Sequence, residues 1–128
     1  MTAPDEQART CAYAFIDAFN RQDHEALANT LNYPHIRLAK GHFARVEDPT
    51  HFIELSRSAE PNLRAEGWHH TTVASCEVVH EGEDKVHLMI RNHRCHEDDS
   101  IYNTFDTLWI VTLIDGHWGI QFRSSYLR

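Results

Sequence analysis

At 128 residues, 41% of them hydrophobic and 24% charged, the chain carries enough apolar material for one compact domain. A formal net charge of −7 and the absence of any Lys/Arg run argue against a nucleic-acid backbone as partner. No apolar run approaches the roughly 20 residues a helix needs to span a bilayer, so no membrane association is expected.

The first stretch, MTAPDEQART, lacks a basic start followed by an apolar segment, so the expectation is a soluble cytoplasmic protein. Pro4, Asp5 and Glu6 suit a first helical turn. Ala8, Cys11, Ala12, Phe15, Ile16 and Phe19 then recur at helical spacing, which predicts one long amphipathic helix ending near Asn20. Asp23 is a good N-cap for a shorter helix through Leu27 and Leu31, stopped by Pro34. NYPHIRLAKGHF, residues 32–43, reads as a hairpin turning at Lys40-Gly41. Asp48 followed by Pro49 starts a third helix with Phe52, Leu55 and Ala59 on its apolar stripe.

After Gly67 the β-branched content rises. WHHTTVASCEVVH, KVHLMIRNHRC, YNTFDTLWIVTLI and HWGIQFRSSYL read as four strands, with Asp115-Gly116 as a tight hairpin turn before the last. The order of elements predicts an α+β protein whose helices pack on one face of a curved antiparallel sheet.

Cys11, Cys76 and Cys95 are odd in number and widely spaced, without CxxC, which fits a reducing compartment. The 11 histidines are unusual, and protonating all of them would reverse the sign of the formal charge. They do not read as a metal site. His69 and His70 fall on opposite faces of a strand, and HRCHED has no second ligand pair at zinc-finger spacing. HExxH and GxSxG are absent, so neither metal, other cofactor nor serine nucleophile is expected.

WHHTT, DGHWGIQFRSS, PHIRLAKG and DKVHL, set in this order of elements, resemble the NTF2-like superfamily, which includes SnoaL-like cyclases, ketosteroid isomerase and scytalone dehydratase. The resemblance covers nearly the whole chain and implies a single NTF2-like domain over residues 1–128. Its fold is an NTF2-like (cystatin-like) cone, three N-terminal helices on a curved, mostly antiparallel sheet. It further implies a pocket between the first helix and the concave sheet face, and a homodimer through the convex face. It does not fix a reaction, because the fold hosts enzymes and non-enzymes.

Transferred onto this chain, the resemblance makes His35, His70 and Asp106 candidate acid–base groups. It also offers Tyr13 and Asp17 on the first helix as pocket contacts. Strand alternation adds Trp68, Asn92 and Arg94 as ligand contacts. Each has a plainer reading. His35 and Arg37 either enter the pocket or make a polar contact beside the third helix. His70 is either a pocket group or a core histidine bonded to a carbonyl. Asp106 needs a partner such as Arg94 or His70 if buried. Tyr13 and Trp68 are more often packing residues. In the last strand, Trp118, Ile120, Phe122, Ser124 and Tyr126 are assigned to the helix side and Arg123 to the opposite face. His42, His80, His96 and His117 lie near turns and are expected in solvent.

In the fifth strand Thr104, Asp106, Leu108 and Ile110 oppose Phe105, Thr107, Trp109 and Val111, and both sets are largely apolar. That points to one face on the core and one in a dimer, or to a bulge that breaks the alternation. Two functions follow: cofactor-free proton transfer of isomerase, dehydratase or cyclase type on a small hydrophobic molecule, or binding of a small apolar, neutral or anionic ligand without catalysis. A protein-interaction module is the third.

Overall fold

The computed structural model describes residues 2–128. Helix α1 runs Pro4–Arg21, with proline in its first turn beside Asp5 and Glu6. Its buried stripe is Ala8, Cys11, Ala12, Phe15, Ile16 and Ala18, at the spacing the sequence suggests. It ends where Gln22 adopts φ 49° and its N–H returns to the Ala18 and Phe19 carbonyls.

Helix α2, His24–Asn29, starts on Asp23, whose carboxylate accepts the Ala26 N–H at 3.1 Å. It is shorter than the sequence suggests. Strand β1, Leu31–Ala39, begins at once, and Leu31 pairs with Ile120 and is 2% exposed. Burial of that leucine in the sheet outweighs one more helical turn. Pro34 therefore lies inside a strand, at a break in register between Leu31 and Ile36. Such breaks tolerate a residue with no N–H to donate.

Strand β2, His42–Val46, returns antiparallel to β1, and α3, Pro49–Ala65, follows on the Asp48 cap. Strands β3 (His70–Glu81), β4 (Lys85–Cys95), β5 (Ile101–Ile114) and β6 (His117–Ser125) form the expected meander. One six-stranded sheet results, in the order β2-β1-β6-β5-β4-β3. Only β1 and β6 pair in parallel.

The core lies between α1 and the concave sheet face, where Phe15 and Trp109 meet edge to face at 4.9 Å. Asn20 clamps the end of α1 to β3 by two hydrogen bonds, to the Thr71 carbonyl at 2.8 Å and from the Thr71 N–H at 2.7 Å. His24 ties α2 to α3 through Ser56 at 2.6 Å and Glu60 at 3.0 Å. These contacts fix α1 against the sheet and α2 against α3. No helix among the described residues is long and apolar enough to cross a membrane.

Candidate functional site

A cavity of about 50 Å³ sits between α1 and the concave face, lined by aromatic walls and by Asn92, Arg37, Arg94 and Arg123. It opens into a cleft of about 500 Å³ between β1, β2 and α3, where Phe52, Leu55 and Leu63 face the three arginines. Among the described residues no group of three or more His, Cys, Asp or Glu is gathered as metal ligands would be.

Arg123 reaches the cavity through a bulge. Ile110 pairs with Phe122 and Val111 with Ile120, so Gln121 has no partner on β5. One extra residue reverses the alternation. Trp118 and Ile120 pack on the core, and beyond the bulge Arg123 and Ser125 take that side. The expectation that Phe122 and Ser124 face the helices and Arg123 the opposite side is thus corrected for this half of β6. A second bulge, between Val73 and Ser75 in β3, works the same way. Thr71 and Val73 face inward before it, Cys76 and Val78 after it.

The arginines are unequally neutralised. Arg94 Nη1 donates to Glu66 at 2.7 Å, and Tyr102 donates to the same carboxylate oxygen at 2.6 Å. Burial, and then Glu66, push the Tyr102 hydroxyl up from its usual pKa. Arg37 has no ion-pair partner among the described residues, and burial and the Arg94 charge lower its pKa. Arg123 lies over the Phe15 ring at 5.1 Å. Burial, then Arg37, push it down to about 9, which leaves it charged at neutral pH.

His35 stands behind Arg123. Its Nδ1 lies 2.9 Å from the Ile120 carbonyl and must donate, so Nε2 is left to accept from Arg123 Nε at 3.0 Å. The ring is fully buried, and burial followed by the Arg123 charge lowers its pKa to about 3. It is a neutral positioning group with both nitrogens in use.

Asn92 is 3% exposed and lines the cavity, yet its Oδ1 is buried without a hydrogen-bond partner among the described residues. Arg94 follows it on the same face of β4, its guanidinium 6.0 Å from the Phe19 centroid and 5.7 Å from that of Phe105. Of the residues singled out from sequence, Asn92 and Arg94 line the cavity, and His35 touches a residue that does.

The others lie elsewhere. Asp106 is on the convex face, bound by Arg91 at 2.8 and 3.2 Å rather than by Arg94 or His70, and that guanidinium holds its carboxyl below the usual range. The fifth strand is regular there, with Phe105, Thr107 and Trp109 inward. His70 also points away from the cavity, because its neighbour Thr71 points in. Its Nε2 is 3.2 Å from Asp99, a largely exposed carboxylate, and its Nδ1 is 2.9 Å from His69. Trp68 is 3% exposed and packs edge to face on Phe19, its indole N–H given to Thr71 at 2.9 Å. Tyr13 is 51% exposed, and Asp17 pairs with Arg21 in solvent. Arg37, an open alternative in the sequence, and Arg123 are the cavity groups that strand alternation alone does not place. Arg37 alternates with His35, and Pro34 beside them marks an irregular strand.

This architecture is that of an NTF2-like cone. The family model described as NTF2-like protein (DUF6841) matches residues 5–123, and the chain belongs to that family. Solved structures share the fold at low identity. An NTF2-like protein with a cystatin-like fold from Novosphingobium aromaticivorans is 17% identical, with a TM-score of 0.75 over 97% of this chain and 81% of that one. An NTF2-like protein from Cytophaga hutchinsonii is 15% identical, with a TM-score of 0.75 over 99% and 100%. A ketosteroid isomerase-like protein from Erwinia carotovora atroseptica is 16% identical, with a TM-score of 0.71 over 95% and 94%. No curated protein matches the chain. At these identities the likeness carries the fold and no activity.

Proposed function

We propose that the protein binds a small apolar anion in the cone, its charge against Arg37 and Arg123 and its body in the cleft against Phe15, Phe19, Phe52 and Leu63. The observation that carries this reading is the excess of positive charge on half-buried side chains lining the cone. Three guanidinium groups line one cavity, and among the described residues a carboxylate neutralises only Arg94. Confined like charges raise each other's free energy, and a bound carboxylate relieves them. Planar guanidinium groups suit a carboxylate or a similarly flat anion.

Isothermal titration with phenylacetate and with the uncharged phenylacetamide tests this. Phenylacetate is expected to bind, phenylacetamide at least about tenfold more weakly, since one lost charge contact is worth about 1.4 kcal/mol or more. Arg37→Leu should remove most of the difference. Equal binding of the two, or selective stabilisation by amines, would overturn the reading.

Proton-transfer chemistry of isomerase, dehydratase or cyclase type is the second reading. Its support is that guanidinium donors facing an apolar cavity would also stabilise a developing oxyanion. It needs a base in the cavity, and His35 has both ring nitrogens engaged.

The same reading places the protein in a homodimer through the convex face. Leu38 and Met89 are each 40% exposed there, beside half-buried Ile36, Leu108, Ile110 and Phe122. A patch of that kind is characteristic of an interface.

A further inference from the structure

We infer that the ligand is not a plain apolar acid but one that also carries a hydrogen-bond donor, a hydroxyl or an N–H, to meet Asn92. This deepens the anion-binding reading and rests on it. The starting point is the Asn92 carbonyl oxygen, buried in the cavity wall without a partner among the described residues. A buried acceptor left without a donor destabilises a fold. Buried polar groups are otherwise almost always satisfied, so an exception in a cavity wall marks where something else completes the bond.

The surroundings define the rest of the ligand. Asn92 and Arg94 are alternate residues on one face of β4, so their backbones are roughly 7 Å apart. Arg94 is already engaged by Glu66. The free positive charges, Arg37 and Arg123, come from paired positions on β1 and β6, the other side of the cavity. Asn92 pairs on β4–β5 with Phe105, and Val73 is its partner on β3. An acceptor among apolar neighbours on one side and cations on the other fits a molecule with a donor at one end and an anion at the other. An aromatic or alicyclic body would join them where the small cavity meets the larger cleft, against Phe15 and Phe19, with only the donor group entering beside Asn92. Hydroxylated aromatic acids are the simplest members of that class.

The test compares phenylacetate with 2-, 3- and 4-hydroxyphenylacetate and mandelate, by isothermal titration on the wild-type protein and on Asn92→Leu. At least one hydroxylated acid is expected to bind wild type about tenfold tighter than phenylacetate. In Asn92→Leu that advantage should vanish, with the fold of the variant checked by circular dichroism and urea melts. Asn92→Ala, which only removes atoms, serves the same purpose if the leucine does not fit, and it too should abolish the advantage. The inference is overturned if all the acids bind alike to wild type, or if the preference persists in both variants. If phenylacetate binds no better than phenylacetamide, the anion-binding reading fails and this inference falls with it. Binding of the acids without a hydroxyl preference overturns this inference alone.

Discussion

Arg123 donates its Nε–H to Nε2 of His35 across 3.0 Å, and His35 donates its Nδ1–H to the Ile120 carbonyl at 2.9 Å. A half-buried cation is thus held by a neutral ring anchored to the same strand, two residues beyond the point where the chain bulges. The ring fixes the direction of the guanidinium without neutralising it.

His35→Ala should therefore act in two ways. The lost ring and its two hydrogen bonds should lower stability by about 2–4 kcal/mol, read from urea melts. Arg123, free to turn, should bind phenylacetate about tenfold more weakly. His42, exposed just past the hairpin turn, offers the control. His42→Ala should stay within about 0.5 kcal/mol and leave binding alone. Equal effects from the two substitutions, or a His35→Ala protein that is destabilised but binds phenylacetate normally, would show that His35 does not position Arg123.

The same histidine links stability to pH. Its folded-state pKa is depressed to about 3 from the usual 6.5, so the unfolded chain takes up a proton that the folded one refuses. The His35 contribution is complete above pH 6.5 and is lost as pH falls from there toward about 3. The loss is at most about 1.4 kcal/mol per pH unit. Unfolding free energies at about pH 7.5 and about pH 5 should differ more in wild type than in His35→Ala. Identical differences would mean that other histidines carry the acid sensitivity.

Much of this fold is written in local patterns. The α1 stripe, the Asp48-Pro49 start of α3 and the Asp115-Gly116 turn each depend on neighbours in sequence, and each is legible there. Asn92 and Arg94 are also legible, because β4 is regular through them. Arg123 is not. Its side of the sheet depends on Gln121 being skipped, which is a property of the β5–β6 register and not of β6 alone. Asp106 shows the converse. Strand alternation leaves two faces to choose from, and only the assembled sheet shows that Arg91 on β4 is its neighbour.

Gly119 marks a close approach between β6 and the start of β1. A Cβ there would lie 2.7 Å from the Asn32 Cγ, the Asn32 N and the Leu31 carbonyl carbon, two of which are backbone. The Asn32 amide donates to the Thr112 and His117 carbonyls at 2.8 and 3.1 Å, so a shift would disturb both. Gly119→Ala should cost about 1–3 kcal/mol by chemical denaturation. A neutral substitution would mean that the two strands can separate there.

The convex face predicts an oligomer that a single charge can dissolve. Met89 lies opposite Leu108 on β5, at the β4 edge of the apolar surface. Wild type at micromolar concentration should give a dimer mass by light scattering. Met89→Glu should give a monomer with an unchanged circular dichroism spectrum, since a charge buried across an interface without a partner is strongly unfavourable. A monomeric wild type would remove the convex face as an interface.

Glu66 competes with any anion that enters the cone. It accepts from Arg94 at 2.7 Å and from Tyr102 at 2.6 Å, and its side chain is 37% exposed at the cleft. Its negative charge sits on the arginine that would otherwise add to the attraction of Arg37 and Arg123. Glu66→Gln keeps a hydrogen-bond acceptor of the same length and removes that charge. Coulomb attraction between partly buried charges far exceeds its value in water, so phenylacetate should bind several-fold tighter to the variant. The gain should shrink in high salt, because the cleft side of the site is open to ions. Weaker binding in Glu66→Gln would mean that the carboxylate holds Arg94 in the binding geometry, and that this alignment matters more than the charge it neutralises.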